Sequence, residues 1–437
     1  MATTRALANT YGAFLILLVV IFTALNYFDL NNGVVRVRSI EDRVPYPNRS
    51  IGVVDGTDLA FTKGHTLTLT VRMETIPKLL TRFYCDLLRS AVLFWSPKLG
   101  RISVILNKES ESDHLFALRL RGRERELGLK FDFFYEPLPN DTTILKKGRV
   151  PTGYTRQLWS SFWMDVFIDA SIVAWADTDA IFITPVTPEN IFNGQRLRVV
   201  AFTDWRRPKT CGWYRTTQSA LGRKMVADFM TYFPTYVWRD TITNCRNFVL
   251  KQMKVNSFAE AFRKLGIGIS PVNIIMNYAY YFEHDRYDWH LDVSNNLKGY
   301  NAKYVPRGFE IQPNETVSEV HVTVHDGYFK LSPHPLLQGY CIAKRYTGQL
   351  PVGCKQFENT TNFFLFEFET KPYVGHMKAW CSPGAGRESC AQRIEAHYNN
   401  TLKYYNAGND LNLKRVGDIE EAARQENISC PNVFNFG

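Results

Sequence analysis

The chain lacks the signatures of several large protein classes. It has no Lys/Arg-rich tract and no zinc-finger spacing, although Lys and Arg (52) outnumber Asp and Glu (42) for a net charge of +10. Positive charge spread in this way argues against a nucleic-acid partner and suits anionic ligands such as nucleotide sugars or acidic glycans. No G-x-G-x-x-G follows the first strand-like segment, and no G-x-x-x-x-G-K-S/T occurs anywhere. Neither a dinucleotide site nor a P-loop is therefore expected. None of the eight Cys forms a C-x-x-C pair, which removes the common structural zinc sites. Internal repeats and low-complexity tracts are absent. Charged residues make up 22% of the chain against 45% hydrophobic, a balance that argues against long disorder and provides for an ample core.

One long apolar run is present. Tyr11–Phe28 is nearly all apolar, and Ala13–Leu25 carries no charge and one hydroxyl, Thr23. This is near the short limit for a membrane-spanning helix. The segment Thr23-Ala24-Leu25-Asn26 offers no small-x-small cleavage site, so an uncleaved signal-anchor is expected over 11–28, behind a cytosolic tail of residues 1–10. The flanking charges leave its orientation open, with Arg5 before it and Arg36, Arg38 and Arg43 after it. Two features favour a lumenal body. All eight Cys follow the span, as do six N-x-S/T sequons at Asn48, Asn140, Asn314, Asn359, Asn399 and Asn427. Sequence does not fix the disulfide pairing; Cys341/Cys354 and Cys381/Cys390 are local candidates. A short span suits the thinner membranes of the Golgi or endoplasmic reticulum.

Beyond the span, residues 29–65 are polar and Gly/Pro-dotted and read as a stem. Strands alternating with helices follow: Thr66–Met73, a helix over Ile76–Trp95, Arg101–Leu106, a surface helix over Ser112–Arg121, Leu129–Tyr135, an aromatic-rich helix over Thr155–Ile168, Ile172–Ala176 and Leu197–Phe202. The expected class is α/β with a doubly wound, mostly parallel sheet, in which residues 66–205 form one half. Residues 206–345 are richer in aromatics, with helices expected over Ala220–Tyr232, Asn256–Leu265 and Asn273–Phe282. They suit a sugar-binding cleft. Residues 346–437 form a Cys-containing extension.

The segment Ser171–Pro185, S-I-V-A-W-A-D-T-D-A-I-F-I-T-P, carries the most chemistry. A D-x-D triplet arises by chance about once in a chain of this size. Here, however, apolar runs flank it on both sides, which reads as a buried strand whose carboxyl end bears two carboxylates. Open α/β sheets bind ligands at that end. Two carboxylates buried side by side are costly unless a cation neutralises them, and a divalent ion bridging to a diphosphate would do so.

Asp177-Thr178-Asp179 at the end of the fourth strand, behind a signal-anchor, resembles the GT-A glycosyltransferases. Tyr154-Thr155-Arg156-Gln157 opening a helix ahead of I-V-A-W-A-D-T-D-A-I-F-I-T-P-V is similar to the glycogenin-type pattern among them. The resemblance covers about Leu67–Trp205. It implies a Rossmann-like fold, with Asp177 and Asp179 binding Mn²⁺ (or Mg²⁺) together with the donor's diphosphate and Thr178 lying between them. It also implies a His ligand from the C-terminal half. Val320–Tyr328, V-H-V-T-V-H-D-G-Y, offers His321 and His325 on one face of a strand, and His325, at the strand end, is preferred. Thr70, Val71 and Arg72 end strand one, where the family holds the nucleotide base. Tyr154, Arg156 and Gln157 fall on the donor side, with Arg156 meeting the phosphate or sugar.

The implied activity is transfer of a sugar from a nucleotide-diphosphate donor, expected to be a uridine one, to a glycan or glycoprotein. Among the acids Asp204, Asp240, Glu260, Glu283, Asp285 and Asp288, the Glu283-His284-Asp285 cluster makes Asp285 the choice for a base. Ile269–Tyr278 resembles the stretch where glycogenin-like enzymes carry D-Q-x-x-L-N, but Pro271, Val272 and Asn273 stand there without an acid. Three other classes compete. A haloacid-dehalogenase-type phosphatase has Ile181 against it at the fifth motif position. A lectin-like ectodomain leaves the acidic pair unexplained. A degenerate GT-A domain would bind donor without transferring it.

Overall fold

The computed structural model describes Thr62 and residues 64–202, 212–231, 233–292, 323–325, 334–348, 350–358, 386–406 and 408–434. The expected anchor at 11–28, residues 29–61 of the expected stem, His321, Cys211, Cys381 and the sequons at Asn48, Asn314 and Asn359 lie outside them. Among the described residues no helix is long and apolar enough to cross a membrane.

The first strand, β1 (Leu67–Arg72), is buried along its whole length. It leads into helix α1, which runs through Pro77–Arg82, a π-helical stretch Phe83–Leu88, and Arg89–Phe94. Pro at its first turn costs no hydrogen bond, because that N–H has no partner in the helix. Strand β2 (Arg101–Asn107) and helix α2 (Glu111–Gly122) follow, with Ser110 capping α2 by accepting from the Asp113 N–H. Next come β3 (Phe131–Glu136), α3 (Thr152–Ser161), β4 (Ile172–Ala176) and β5 (Ala180–Phe182). The aromatic segment after α3 does not continue as one helix. Phe162 ends it, and a separate short turn of helix spans Met164–Phe167.

The central sheet has the order β3-β2-β1-β4-β8, where β8 is Thr235–Trp238. The first four strands run parallel, and β8 is antiparallel to β4. The architecture is therefore mixed α/β with a parallel-rich sheet. Strands β1 and β4 are buried throughout, as expected for a sheet covered on both faces.

The expected fifth strand forms, but elsewhere. Together with β6 (Phe192–Asn193), β7 (Arg196–Phe202) joins a separate three-stranded sheet, parallel to β9 (Tyr287–Asp292). Its basic side chains explain the placement. Arg198 donates to Asp288 on β9 at 2.9 Å and to the carbonyls of Glu189 and Phe192.

The helical half differs more from expectation. Helix α4 is Gly212–Leu221 rather than Ala220–Tyr232. Gly222, at a left-handed φ of 64°, follows it. Helix α5 (Arg239–Met253) was not expected at all. Its Asp240, Thr243, Asn244 and Arg246 hide the helical period, yet Arg246 is buried against Asp165 and the Trp163 ring. Helices α6 (Phe258–Leu265) and α7 (Pro271–Phe282) match the reading to within two residues.

Beyond these, β10 (Thr323–His325) pairs antiparallel with β5. Helices α8 (Pro335–Thr347), α9 (Gly386–Thr401) and α10 (Leu413–Gln425) complete the described chain. Disulfide Cys85–Cys430 ties α1 to the C-terminal segment, and Cys341–Cys354 closes a local loop. Between α1 and α10 the fully buried Arg89 donates to Glu420 and to the Pro431 carbonyl, each at 2.9 Å. The sequons at Asn140, Asn399 and Asn427 are exposed.

Candidate functional site

Strand β4 stops at Ala176, and the chain turns at once. The Ala180 N–H donates to the Asp177 carbonyl at 3.2 Å, closing a turn over Asp177-Thr178-Asp179-Ala180 that returns the chain as β5. Both carboxylates therefore stand just beyond the carboxyl end of β4, the inner neighbour of β1 in the sheet. Thr178 is buried between them. Burial, and then the nearby Asp179 carboxylate, push the Asp177 carboxyl up to about 7, against the opposing pull of Arg82.

Helices α1 and α3 bring side chains to this turn. From α1, Arg82 Nη1 lies 3.3 Å from Asp179 Oδ2. From α3, Gln157 Nε2 lies 3.5 Å from Asp177 Oδ1. Tyr154, one turn earlier on α3, is half exposed. Local burial, and then the Asp177 carboxylate, raise its phenol's pKa. Strand β10 sets the backbone of His325 opposite Ala180, one residue past Asp179.

Other expected donor-side residues turn inward. Val71 is core, and Thr70 is fully buried with no hydrogen-bond partner for its hydroxyl. Arg72 is 5% exposed and donates to Ser160 (3.0 Å), to the Met73 carbonyl (2.7 Å), to Asn107, and to Glu136 at 3.3 Å. Arg156 is also 5% exposed. It donates to Glu109 and, at 2.8 Å, to the Glu136 carbonyl, and its Nε lies 3.6 Å from the Glu136 carboxylate. Glu136 ends β3 and is buried with these two cations. The structure thus joins Arg72 and Arg156 through Glu136, whereas it joins Asp177 and Asp179 to Gln157 and Arg82.

Asp285 is not brought to the acidic turn. It sits fully exposed on the short helical turn His284–Arg286, with His284 Nδ1 3.7 Å from its carboxylate. The Trp238 indole donates to the Arg286 carbonyl at 3.3 Å, and Trp238 pairs with Ile172, at the amino end of β4. A five-residue strand spans about 16 Å, so this turn lies at the opposite end of the sheet from Asp177. Glu283, beside it, is occupied by Thr241 (2.6 Å), Asn244 (2.9 Å) and Arg286 (2.8 Å).

The stretch Ile269–Tyr278 serves as scaffold. Asn273 Oδ1 accepts from the Phe229 N–H (2.7 Å) and Asn277 Oδ1 from the Val226 N–H (2.6 Å), so α7 holds the loop ahead of β8.

Sequence reasoning missed Arg82. It lies on the amphipathic helix between the core positions Leu80 and Phe83, and nothing in that pattern marks it. Glu109 and Glu136 were also missed. The one available signal was the acid ending β3, one strand removed from β1, which ends in Arg72.

Two carboxylates on one turn, with the Arg82 guanidinium against Asp179, form an oxygen donor pair of the kind a divalent cation fits. Among the described residues no group of three or more His, Cys, Asp or Glu side chains could hold a metal ion, so other ligands would have to complete the shell.

No protein-family model matches the chain, and no curated protein matches it in sequence. Solved structures similar to it include galactosyltransferase LgtC with donor and acceptor sugar analogues, at 14% identity over 46% of this chain and 72% of that one, TM-score 0.28. An active-site mutant of LgtC matches at 14% over 46% and 71%, TM-score 0.28. Mouse xyloside xylosyltransferase 1 in its apo form matches at 12% over 52% and 84%, TM-score 0.30.

Proposed function

We propose that the protein is a metal-dependent glycosyltransferase that moves a sugar from a nucleotide-diphosphate donor, with uridine as the first base to test, to a glycan or glycoprotein. The observation that carries this reading is the Asp177–Asp179 turn at the carboxyl end of β4 in a parallel-rich sheet. The burial and mutual repulsion that push the Asp177 carboxyl up are relieved when a cation sits between the pair.

Asp177 and Asp179 would hold Mn²⁺, with His325 as a further ligand from β10. When bound, the ion supplies charge neutralisation to a leaving diphosphate. Gln157 positions the Asp177 carboxylate, and Tyr154, one turn earlier on α3, offers a half-exposed ring against which a donor group can pack. Glu136, Arg72 and Arg156 hold the ends of β1 and β3 and the start of α3 in register, which fixes Gln157. Asp285 has no part in this reading, and no carboxylate is assigned as base.

The same proposal puts the body in the lumen of the Golgi or endoplasmic reticulum, behind a single anchor at 11–28 with the tail in the cytosol. The disulfides Cys85–Cys430 and Cys341–Cys354 support an oxidising compartment. So do the exposed sequons at Asn140, Asn399 and Asn427.

One observation favours a second reading, a domain that binds donor without transferring it. The segment resembling D-Q-x-x-L-N has no acid, and its two asparagines are taken up in holding a loop. The two readings separate in a panel of uridine and guanosine diphosphate sugars incubated with Mn²⁺ and the full chain. Nucleotide release that requires Mn²⁺ and disappears in Asp179→Asn supports the transferase. Metal-dependent nucleotide binding with no release under any acceptor supports the binding domain.

A further inference from the structure

Arg82 carries an inference that rests on the donor-site reading above and goes beyond it. We propose that Arg82 is a resident counter-ion of the acidic turn, and that it makes divalent-cation binding conditional on a nucleoside diphosphate. Its guanidinium lies 3.3 Å from Asp179, with side chains 30% and 14% exposed. A divalent ion arriving alone must approach Asp179 against that guanidinium. In partly buried surroundings the like-charge repulsion is large against thermal energy. A diphosphate reverses the balance. It brings negative charge for both cations, and its oxygens match the planar fork of an arginine. Arg82 then exchanges the Asp179 carboxylate for diphosphate oxygens, which takes its charge out of the ion's path.

The contrast with Arg72 and Arg156, at the same end of the sheet, supports the assignment. Arg72 and Arg156 are buried and held by Glu136 and Glu109, so either could reach a ligand only by breaking a buried ion cluster. Arg82 is partly exposed and sits where the first α-helical segment of α1 gives way to the π-helical turn that begins at Phe83. Its long side chain can swing without disturbing the core beneath. Interrupted turns of this kind recur where a helix presents a functional side chain.

The test is Mn²⁺ binding to the full chain, followed by electron paramagnetic resonance with and without uridine or guanosine diphosphate, in wild type, Arg82→Gln and Arg82→Lys. The wild type is expected to bind Mn²⁺ weakly alone and tightly with one diphosphate. Arg82→Gln should bind Mn²⁺ alone at least about tenfold more tightly, and the diphosphate in saturating Mn²⁺ at least about tenfold more weakly. If Arg82→Gln matches the wild type in both titrations while the wild type still binds nucleotide with Mn²⁺, the inference is overturned and the proposed function stands. If neither protein binds Mn²⁺ or nucleotide, the proposed function falls and the inference with it. Should Arg82→Gln fail to melt cooperatively, Arg82→Lys decides. It keeps the charge, so Mn²⁺ affinity alone should stay at the wild-type value while diphosphate affinity drops. Unchanged diphosphate affinity in that variant would sink the idea.

Discussion

The backbone of His325 pairs with that of Ala180, so a strand from late in the chain ends beside the turn that carries Asp177 and Asp179. About 145 residues separate the two in sequence, and only the fold makes them neighbours.

If His325 completes the metal shell, His325→Ala should weaken Mn²⁺ in the nucleotide complex by about 10–100-fold, the range already seen when partners outside the ligand set are lost. The apo melting temperature should hardly move. Calorimetric titration of Mn²⁺ into protein saturated with diphosphate checks this, and an unchanged affinity would remove His325 from the site.

Glu136 is buried between Arg72 and Arg156. Glu136→Gln keeps the shape and removes the counter-charge from both, so it should cost about 3–5 kcal/mol in urea unfolding. A cost below about 1 kcal/mol would mean that Glu109 and solvent suffice for the two cations.

Cys85–Cys430 spans 345 residues, whereas Cys341–Cys354 spans 13. Constraint of the unfolded chain grows with the logarithm of loop length, so losing the first should cost about 3 kcal/mol more than losing the second. Paired Cys→Ala variants compared in denaturant give the difference, and equal costs would contradict the loop-length argument here.

His334 caps α8, its Nδ1 accepting from the Leu336 N–H at 3.2 Å. Burial, and then the Arg89 guanidinium, lower its pKa from 6.5 to about 4. The folded imidazole stays neutral where the unfolded one is charged. Its contribution is therefore complete above pH 6.5 and is lost as pH falls toward 4, to a total of about 3 kcal/mol. His334→Asn keeps the cap acceptor without the titration. Its stability relative to wild type should improve between pH 7 and pH 4.5, and a constant difference would show that His334 titrates normally.

Much of the first half was legible because its periods are clean. The alternation of Leu67–Arg72 marks a strand, the apolar run of Ile172–Ala176 is what a covered parallel sheet demands, and both strands form where expected. What misled was pairing rather than propensity. Arg196–Phe202 reads as a strand and is one, but its partner depends on Arg198 meeting Asp288, some 90 residues on. Thr235–Trp238, too short to show a period, closes the central sheet instead. At the site, the Asp177–Asp179 turn was legible because a buried strand rarely ends in two acids. Whether Arg156 faces a ligand or Glu136, and whether Arg82 meets Asp179, depends on side chains contributed by other elements, which no local pattern encodes. Asp285 stood out as an acidic cluster, yet the direction of β4 puts it at the far end of the sheet.

The central claim, a nucleotide-diphosphate site built on Asp177 and Asp179, is tested most directly by thermal shift of the full chain. Uridine and guanosine diphosphates are each titrated with and without Mn²⁺, beside Asp179→Asn. The account predicts that one nucleotide raises the melting temperature by a few degrees only when Mn²⁺ is present, through binding linkage of about 2–3 kcal/mol near a hundredfold excess over Kd. It also predicts that Asp179→Asn melts as the wild type does without ligand and shows no shift. No shift with either nucleotide, or the same shift in Asp179→Asn, would contradict it.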